Sequence, residues 1–289
     1  MFSNEIALKD IVPALSLAIS PCPNDTLMFD ALVNSKIASG EISFNTEYHD
    51  IEQLNNGLMS GKWEVAKMSA AAFPLVMKDY VMLQTGMAMG FGNGPLIVAK
   101  NAEIDLNSFK DTMLIPGIHT TANLLLTKFF SNITNKNEVL FSDILPLLEA
   151  GKAAAGLIIH ESRFTYPQYG LHKIADMGEL WFHQTKIPLP LGVIVARRSL
   201  GFELIRKLEM LLQESVIYGL QHRDDAMSYI RSHAQETDDD VINHHIDLYV
   251  NQFSSEPGQD GLQAVLTLLQ SLPENHSLSL HDIFSPWVN

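Results

Sequence analysis

Leu15-Ser16-Leu17-Ala18-Ile19-Ser20-Pro21-Cys22-Pro23-Asn24-Asp25-Thr26 holds the fold in miniature: an apolar run of strand length, a proline-fixed turn, then polar residues that open a helix. Pro21 and Pro23 fix φ and remove two backbone donors, and Asn24 or Asp25 suits a helix N-cap. The design recurs twice. Glu64-Val65-Ala66 runs into Lys67-Met68-Ser69 ahead of Ala70-Ala71-Ala72, and a strand pattern ending at Pro116 runs into Gly117-Ile118-His119-Thr120-Thr121-Ala122 ahead of a helical pattern from Asn123. In open α/β sheets, ligands bind where the carboxyl ends of strands meet helix starts.

Outward from these three places, strand patterns fall at 15–20, 42–48, 64–68, 96–99, 112–116, 156–160 and 192–196. Helical patterns fall at 26–33, 51–60, 70–78, 121–130 and 143–150, and from about Phe202 the chain is helical with no strand. The alternation predicts an α/β fold of parallel sheet wrapped by helices. A chain that leaves its first sheet near residue 100 and returns near 198 predicts two lobes, 1–108 with 198–289 and 109–197. Two hinge crossings would join them, with a central cleft between. Gly90-Phe91-Gly92-Asn93-Gly94-Pro95 precedes a strand and not a helix, so it reads as a bend or cleft wall and not a dinucleotide turn. The stretch 235–240 reads as a helix boundary, with Thr237 and the aspartates in the N-cap and first turn.

Composition narrows the function classes. The 289 residues, 46% hydrophobic, suffice for one large core or two modest ones. A formal charge of −14, from 19 basic against 33 acidic residues, would repel a phosphate backbone, so nucleic acid is not an expected partner. Cys22 is the one cysteine; it can form no intrachain disulfide and no zinc site alone. Glu5, Asp10 and Pro13 do not suit an export leader, and no apolar stretch reaches the roughly 18 to 20 residues of a membrane helix. A cytoplasmic protein without membrane contact, monomeric or homodimeric, is expected.

Gly156-Leu157-Ile158-Ile159-His160-Glu161-Ser162-Arg163-Phe164-Thr165-Tyr166 carries the most chemistry. A strand delivers His160 to its carboxyl end beside an acid, a hydroxyl and an arginine, an arrangement suited to a general base or to a structural imidazole. Arg163 suits either a substrate carboxylate or a neighbouring acid. Lys67 suits either solvent or a bound carboxylate, and the Thr120-Thr121 helix start offers hydroxyls and free N–H groups to an anion. His244-His245 has poor metal spacing and reads as helical surface, and no metal site is expected. G-x-x-x-x-G-K-[ST] and G-x-S-x-G motifs are absent.

The strings S-P-C-P-N-D-T, K-M-S, H-T-T-A and H-E-S-R-F-T-Y, with Gly94-Pro95-Leu96, Pro188-Leu189-Pro190-Leu191-Gly192 and Ala196-Arg197-Arg198, resemble the 1,4-dihydroxy-6-naphthoate synthase family nearly end to end. The resemblance implies a type 2 periplasmic-binding-protein-like fold and a cofactor-independent carbon–carbon lyase of menaquinone biosynthesis. Such an enzyme converts cyclic dehypoxanthinyl futalosine, a carboxylate, to 1,4-dihydroxy-6-naphthoate and a three-carbon fragment, dihydroxyacetone. His160 resembles the family's proton acceptor. Lys67, Met68 and Ser69 resemble its first substrate-binding segment, and Thr121 and Ala122, beside Thr120, its second. Asn24, Asp25 and Thr26 are implied to line the cleft. Leu27-Met28, Phe91 and Ile118 depart from the family pattern. Two other readings are a chorismate dehydratase, against which the first and last strings argue, and a non-catalytic carboxylate-binding protein.

Overall fold

The computed structural model describes residues 14–236, 238–272 and 275–284. The leader reading of Glu5, Asp10 and Pro13 and the capping role of Thr237 lie outside the described residues. In chain order the strands are β1 (Leu15–Ile19), β2 (Phe44–Tyr48), β3 (Val65–Ser69), β4 (Tyr80–Met82), β5 (Ala88–Gly90), β6 (Leu96–Ala99), β7 (Met113–Ile115), β8 (Lys136–Glu138), β9 (Ala155–Ile158), β10 (His172–Asp176) and β11 (Leu189–Arg197). The helices are α1 (Pro23–Val33), α2 (Ile51–Met59), α3 (Thr121–Phe129), α4 (Ile144–Glu149), α5 (Ser162–Thr165), α6 (Met177–Thr185), α7 (Phe202–Gln221), α8 (Arg223–His233), α9 (Asp239–Tyr249), α10 (Gln252–Ser255), α11 (Gly258–Gln270) and α12 (Leu280–Phe284). None of the described helices is long and apolar enough to cross a membrane.

The strands form two sheets. One is six-stranded in the order β2-β1-β3-β11-β4, with β5 also paired to β11; the other is five-stranded in the order β10-β6-β9-β7-β8. The α/β class and the two lobes hold, but the sheets are mixed where parallel sheet is expected from the sequence. β1 runs parallel to β2 and β3, whereas β11 is antiparallel to β3, β4 and β5. In the second sheet β7 is parallel to β8 and β9, and β6 is antiparallel to β9 and β10. The antiparallel members are the strands next to the lobe crossings. A chain that enters a sheet from a neighbouring lobe need not make the right-handed βαβ loop that enforces parallel pairing.

Sheet membership also moves the crossings. β6 belongs to the second sheet and β11 to the first. The chain therefore crosses between β5 and β6 and again between β10 and β11, ahead of the boundaries at 108 and 197 read from the sequence. Apolar alternation explains how the strands are clad. Leu96 and Val98 face one cluster with Leu114, Ile144, Leu148 and Ile158, while Ile97 and Ala99 face the large cluster that also holds Val193, Val195, Met68 and Phe73. Ile194 and Ala196 point the other way, into the cluster formed with α1, α7, α8 and α9 through Leu27, Leu208, Leu212, Ile230 and Ile246. The helical tail after β11 is thus the cladding of the first sheet.

Three local readings change for identifiable reasons. The helix after β1 begins at Pro23, with Cys22 in the N-cap position, so Asn24 and Asp25 lie within the first turn and not at its cap. The helix expected at 70–78 is a 3-10 segment, Ala70–Leu75, because Pro74 inside it has no N–H to donate. β4, β5, β8 and β10 are absent from the sequence reading. The first three have only three residues each, and β10 is a polar edge strand, HKIAD, with no alternating pattern.

The two crossings touch each other. A β-carbon on Gly178 would stand 2.1 Å from the carbonyl carbon of Asn93 and 2.4 Å from the amide nitrogen of Gly94, and the amide of Met177 donates to the Pro95 carbonyl at 2.9 Å. The glycines are required here because backbone lies on backbone. Gly178→Ala is expected to destabilise the protein by about 1–3 kcal/mol by overpacking. The check is a lowered urea midpoint with an unchanged m-value.

Candidate functional site

β9 ends at Ile158, and two residues later His160 adopts φ 56°, in the left-handed region, before α5 begins at Ser162. A histidine in that region is uncommon and carries a cost, so the turn is held by its surroundings. It stops the strand's extended course and sets the imidazole on the floor of the cleft between the lobes. The ring packs edge-on against Phe141 at 4.9 Å, and its Nε2 is shielded from solvent without a protein partner. Burial holds the His160 imidazole down to about 4, opposed by the nearby Asp25 carboxylate and reinforced by Lys67. The ring is therefore neutral at physiological pH, and a neutral imidazole keeps one lone-pair nitrogen that can accept a proton.

Beside it lies a buried polar network. Asp25, on the first turn of α1, accepts from Lys67 Nζ at 2.7 Å and Asn24 Nδ2 at 2.9 Å on Oδ1, and from Ser20 Oγ at 2.7 Å on Oδ2. Lys67 is only 3% exposed, so it is not the solvated surface lysine that its residue type suggests. Its stem lies flat because Gly192 on β11 has no side chain: a β-carbon there would meet Lys67 Cε at 2.7 Å. Ser69 is held from both sides by Asn55, whose Oδ1 accepts from the Ser69 amide at 2.9 Å and whose Nδ2 donates to Ser69 Oγ at 3.1 Å.

The second lobe closes over this floor. Thr121 Oγ1 donates to the Leu191 carbonyl at 2.9 Å and accepts from the Ala71 amide at 3.2 Å. Glu52 on α2 accepts from His119 through the ring Nδ1 at 2.6 Å and through the backbone amide at 3.2 Å. Thr120 caps α3 by accepting from the Asn123 amide at 3.1 Å, as its position at a helix start predicts.

The resulting cleft, with the open solvent at its mouth, spans about 620 Å³ and is lined by Ser20, Asn24, Asp25, Ile51, Lys67, Ser69, Ala88, Pro95, Thr120, Thr121, Ala122, Ile159, His160, Leu191, Gly192, His245 and Tyr249. It gathers eight of the eleven residues singled out in the sequence. The other three lie elsewhere. Met68 is fully buried in the core, since side chains alternate along β3. The Thr26 hydroxyl turns back onto the Cys22 and Pro23 carbonyls at 3.0 and 3.3 Å. Arg163 pairs with Asp176 at 2.6 Å and donates to the Gly94 carbonyl at 2.5 Å, which ties α5 to the lobe crossing and not to the cleft.

His245 and Tyr249 escape the sequence reading. His245, read there as helical surface, is 1% exposed, lines the cleft and bonds through Nε2 to Asn24 Oδ1 at 2.9 Å. The signal available was the period of α9: Ile242, His245, Ile246 and Tyr249 form its buried stripe, and a histidine on an apolar stripe faces inward. Burial, with His160 and Lys67 nearby, holds the His245 imidazole well below its ordinary value. Glu161, buried just beyond the cleft lining, is pushed up to about 7 by desolvation. The paired Asp25 and Lys67 cancel, and both imidazoles are neutral, so the cleft presents hydrogen-bonding groups with little net charge.

Among the described residues, Cys22, His160 and Glu161 bring potential metal ligand atoms within 4.8 Å of one another. Burial raises the Cys22 thiol well above its usual value and favours the protonated form of Glu161, so these donors are poorly suited to a cation.

Comparison with known proteins adds three findings. The family model described as "Menaquinone biosynthesis" matches residues 15–274. Proteins named 1,4-dihydroxy-6-naphtoate synthase are similar to the chain: one from Thermus thermophilus is 44% identical over 255 residues, 88% of this chain and 92% of that protein, and one from Streptomyces coelicolor is 40% identical over 260 residues, 88% and 91%. A crystal structure from Archaeoglobus fulgidus superposes with a TM-score of 0.85 at 30% identity, covering 92% of this chain and 98% of that one. A Candida albicans protein described as having the generic periplasmic binding protein fold superposes with a TM-score of 0.65 at 13% identity, covering 93% and 92%, a likeness of fold alone.

Arg163 separates structural from ligand-facing charge. The Asp176 side chain is fully buried, and its carboxylate also caps α6 by accepting from Gly178 and Glu179. Arg163→Ala is expected to cost about 3–5 kcal/mol by leaving that carboxylate unpaired. Thermal unfolding should report the loss, with KM at permissive temperature close to the wild-type value.

Proposed function

Since the chain belongs to the menaquinone biosynthesis family, we propose that it is a carbon–carbon lyase of the 1,4-dihydroxy-6-naphthoate synthase type, converting cyclic dehypoxanthinyl futalosine to 1,4-dihydroxy-6-naphthoate and dihydroxyacetone. The observation that carries the reading is the neutral His160 imidazole at a strand's carboxyl end, with Nε2 free of protein partners in an inter-lobe cleft. A general base needs that combination of reach and protonation state.

In the proposed reaction His160 takes an activated proton adjacent to a carbonyl. The enolate oxygen forms on the ammonium side of the Lys67–Asp25 dipole, and retro-aldol cleavage follows, driven by formation of the aromatic naphthalene. The substrate carboxylate is held by the first-turn N–H groups of α3 at Thr121 and Ala122, which have no partners inside the helix, and by the Ser69 hydroxyl. Lys67 is committed to Asp25, so it orients and polarises and does not offer a free charge. A cleft without net charge suits a carboxylated aromatic skeleton, because no fixed anion opposes it. No cofactor enters this scheme. The unpaired Cys22 thiol fits a cytoplasmic setting.

The direct test is incubation of the purified protein with cyclic dehypoxanthinyl futalosine and detection of the naphthoate by absorbance and mass. His160→Ala is expected to lose about 10²–10⁴-fold in kcat while still binding the naphthoate. Loss of binding instead would make the residue a structural one.

The pH profile follows from the neutral imidazole. Protonation removes the base as pH falls toward about 4, so kcat/KM should be flat through the ordinary histidine range and fall only in that acid region.

A further inference from the structure

Two imidazoles face the cleft, and the proposed reaction uses one. His245 stands on α9 in the buried stripe, with its ring centroid 6.3 Å from that of His160 and 4.9 Å from that of Tyr249. Its tautomer follows from the hydrogen-bond chain behind it. The Asp25 carboxylate, facing the Lys67 ammonium, is acceptor only, so the Asn24 atom 2.9 Å from Asp25 Oδ1 is the amide nitrogen. The Asn24 oxygen therefore faces His245, and the His245 Nε2 beside it at 2.9 Å is the protonated nitrogen. Nδ1 is left as a lone pair, buried and without a protein partner.

His160 Nε2 is likewise buried without a protein partner. A polar nitrogen shut from water with no hydrogen bond costs about 1–3 kcal/mol, and native proteins rarely tolerate two in one place without a function. A ligand that hydrogen-bonds to both would remove both deficits. The remaining groups near His245 leave that position to it: Lys67 and Asp25 are paired with each other, and Tyr249 is pushed up to about 12 by burial and stays a phenol.

We propose that His245 is a second acid–base residue of this site, whose Nδ1 accepts the proton of the substrate hydroxyl that becomes a carbonyl as the carbon–carbon bond breaks. The inference rests on the lyase reading above. The hydroxyl O–H proton passes to Nδ1, and the oxygen's electron pair closes the carbonyl of the three-carbon fragment. The adjacent carbon–carbon bond breaks, and its pair enters the ring-conjugated enolate. The His245 imidazolium then returns its proton to that enolate oxygen, and the His160 imidazolium gives the proton it took to the oxygen of the enolate formed in the first step, so both histidines end neutral, the product carries two hydroxyls and no external donor is consumed. Asn24 is the positioning residue, since it holds the Nε2–H and thereby keeps Nδ1 free.

The test combines spectroscopy of the wild-type protein with kinetics of one variant. In ¹⁵N-histidine NMR of the wild-type protein, with the ring assigned by through-bond correlation to the His245 backbone, the His245 ring should be protonated at Nε2 and bare at Nδ1, and its Nδ1 resonance should move when 1,4-dihydroxy-6-naphthoate binds. The opposite tautomer, or an Nδ1 resonance unmoved at saturation, overturns the proposal even if the variant fails to fold. In His245→Gln the side-chain amide nitrogen stands where Nε2 stood and keeps the donation to Asn24, while the Nδ1 lone pair is lost. Its kcat on cyclic dehypoxanthinyl futalosine should fall about 100-fold or more with KM within about threefold of wild type. A kcat within about threefold of wild type overturns the role of His245 and leaves the lyase reading intact, whereas a wild-type protein that forms no naphthoate overturns both.

Discussion

The ion pair between Lys67 and Asp25 is the constraint around which the site is built. Both side chains are almost wholly out of water, and burying two charges costs several kcal/mol per ion unless geometry and further hydrogen bonds compensate. The compensation comes from separate parts of the chain. Ser20 is the last residue before the first turn, Asn24 lies on the first turn of α1, Lys67 crosses from β3, and Gly192 on β11 leaves room for the lysine stem. β1, β3 and β11 are adjacent in the first sheet, so the pair couples the site's geometry to the sheet's register. A one-residue slip of β3 would turn Lys67 to the opposite face and leave Asp25 alone.

The pair also sets the electrical character of the cleft. Because its charges cancel, the imidazoles of His160 and His245 meet a low-dielectric environment without a strong local field, and burial becomes the main influence on both. Neutral imidazoles, a protonated tyrosine and a Glu161 near its midpoint at neutral pH leave proton positions to be decided by what enters. The second lobe brings few charges of its own to the cleft. Its contributions are His160 beyond β9, the capped start of α3 and Thr121, whose hydroxyl joins Ala71 and Leu191 across the gap.

The strand-to-helix turns after β1, β3 and β7 were legible because they combine an apolar run, a turn residue and a helix opener within a dozen positions. They bring Asn24, Asp25, Ser69 and the Thr120-Thr121-Ala122 start to the cleft. His160 was legible for a similar reason, as the polar end of a buried strand. Lys67 and Arg163 were legible only as alternatives. Whether a charged side chain meets solvent, a ligand or an acid depends on residues distant in sequence, here Asp25 and Asp176. His245 was lost because adjacent histidines suggest surface or metal, whereas the period of α9 puts one inside and leaves its neighbour His244 outside the cleft lining. The crossings fall ahead of the boundaries read from the sequence because β5 gave no strand signal and nothing local assigns β6, which did, to one sheet over the other.

The left-handed backbone at His160 has a practical corollary for anyone who re-engineers the chain. A non-glycine residue in that region carries about 1–2 kcal/mol of strain, so protocols that rank substitutions by thermal tolerance will favour glycine or asparagine at position 160. Accepting that suggestion would yield a hardier protein with its base removed. At this position robustness and reactivity draw on the same torsion angle, and libraries for heat resistance are best built with residue 160 held fixed.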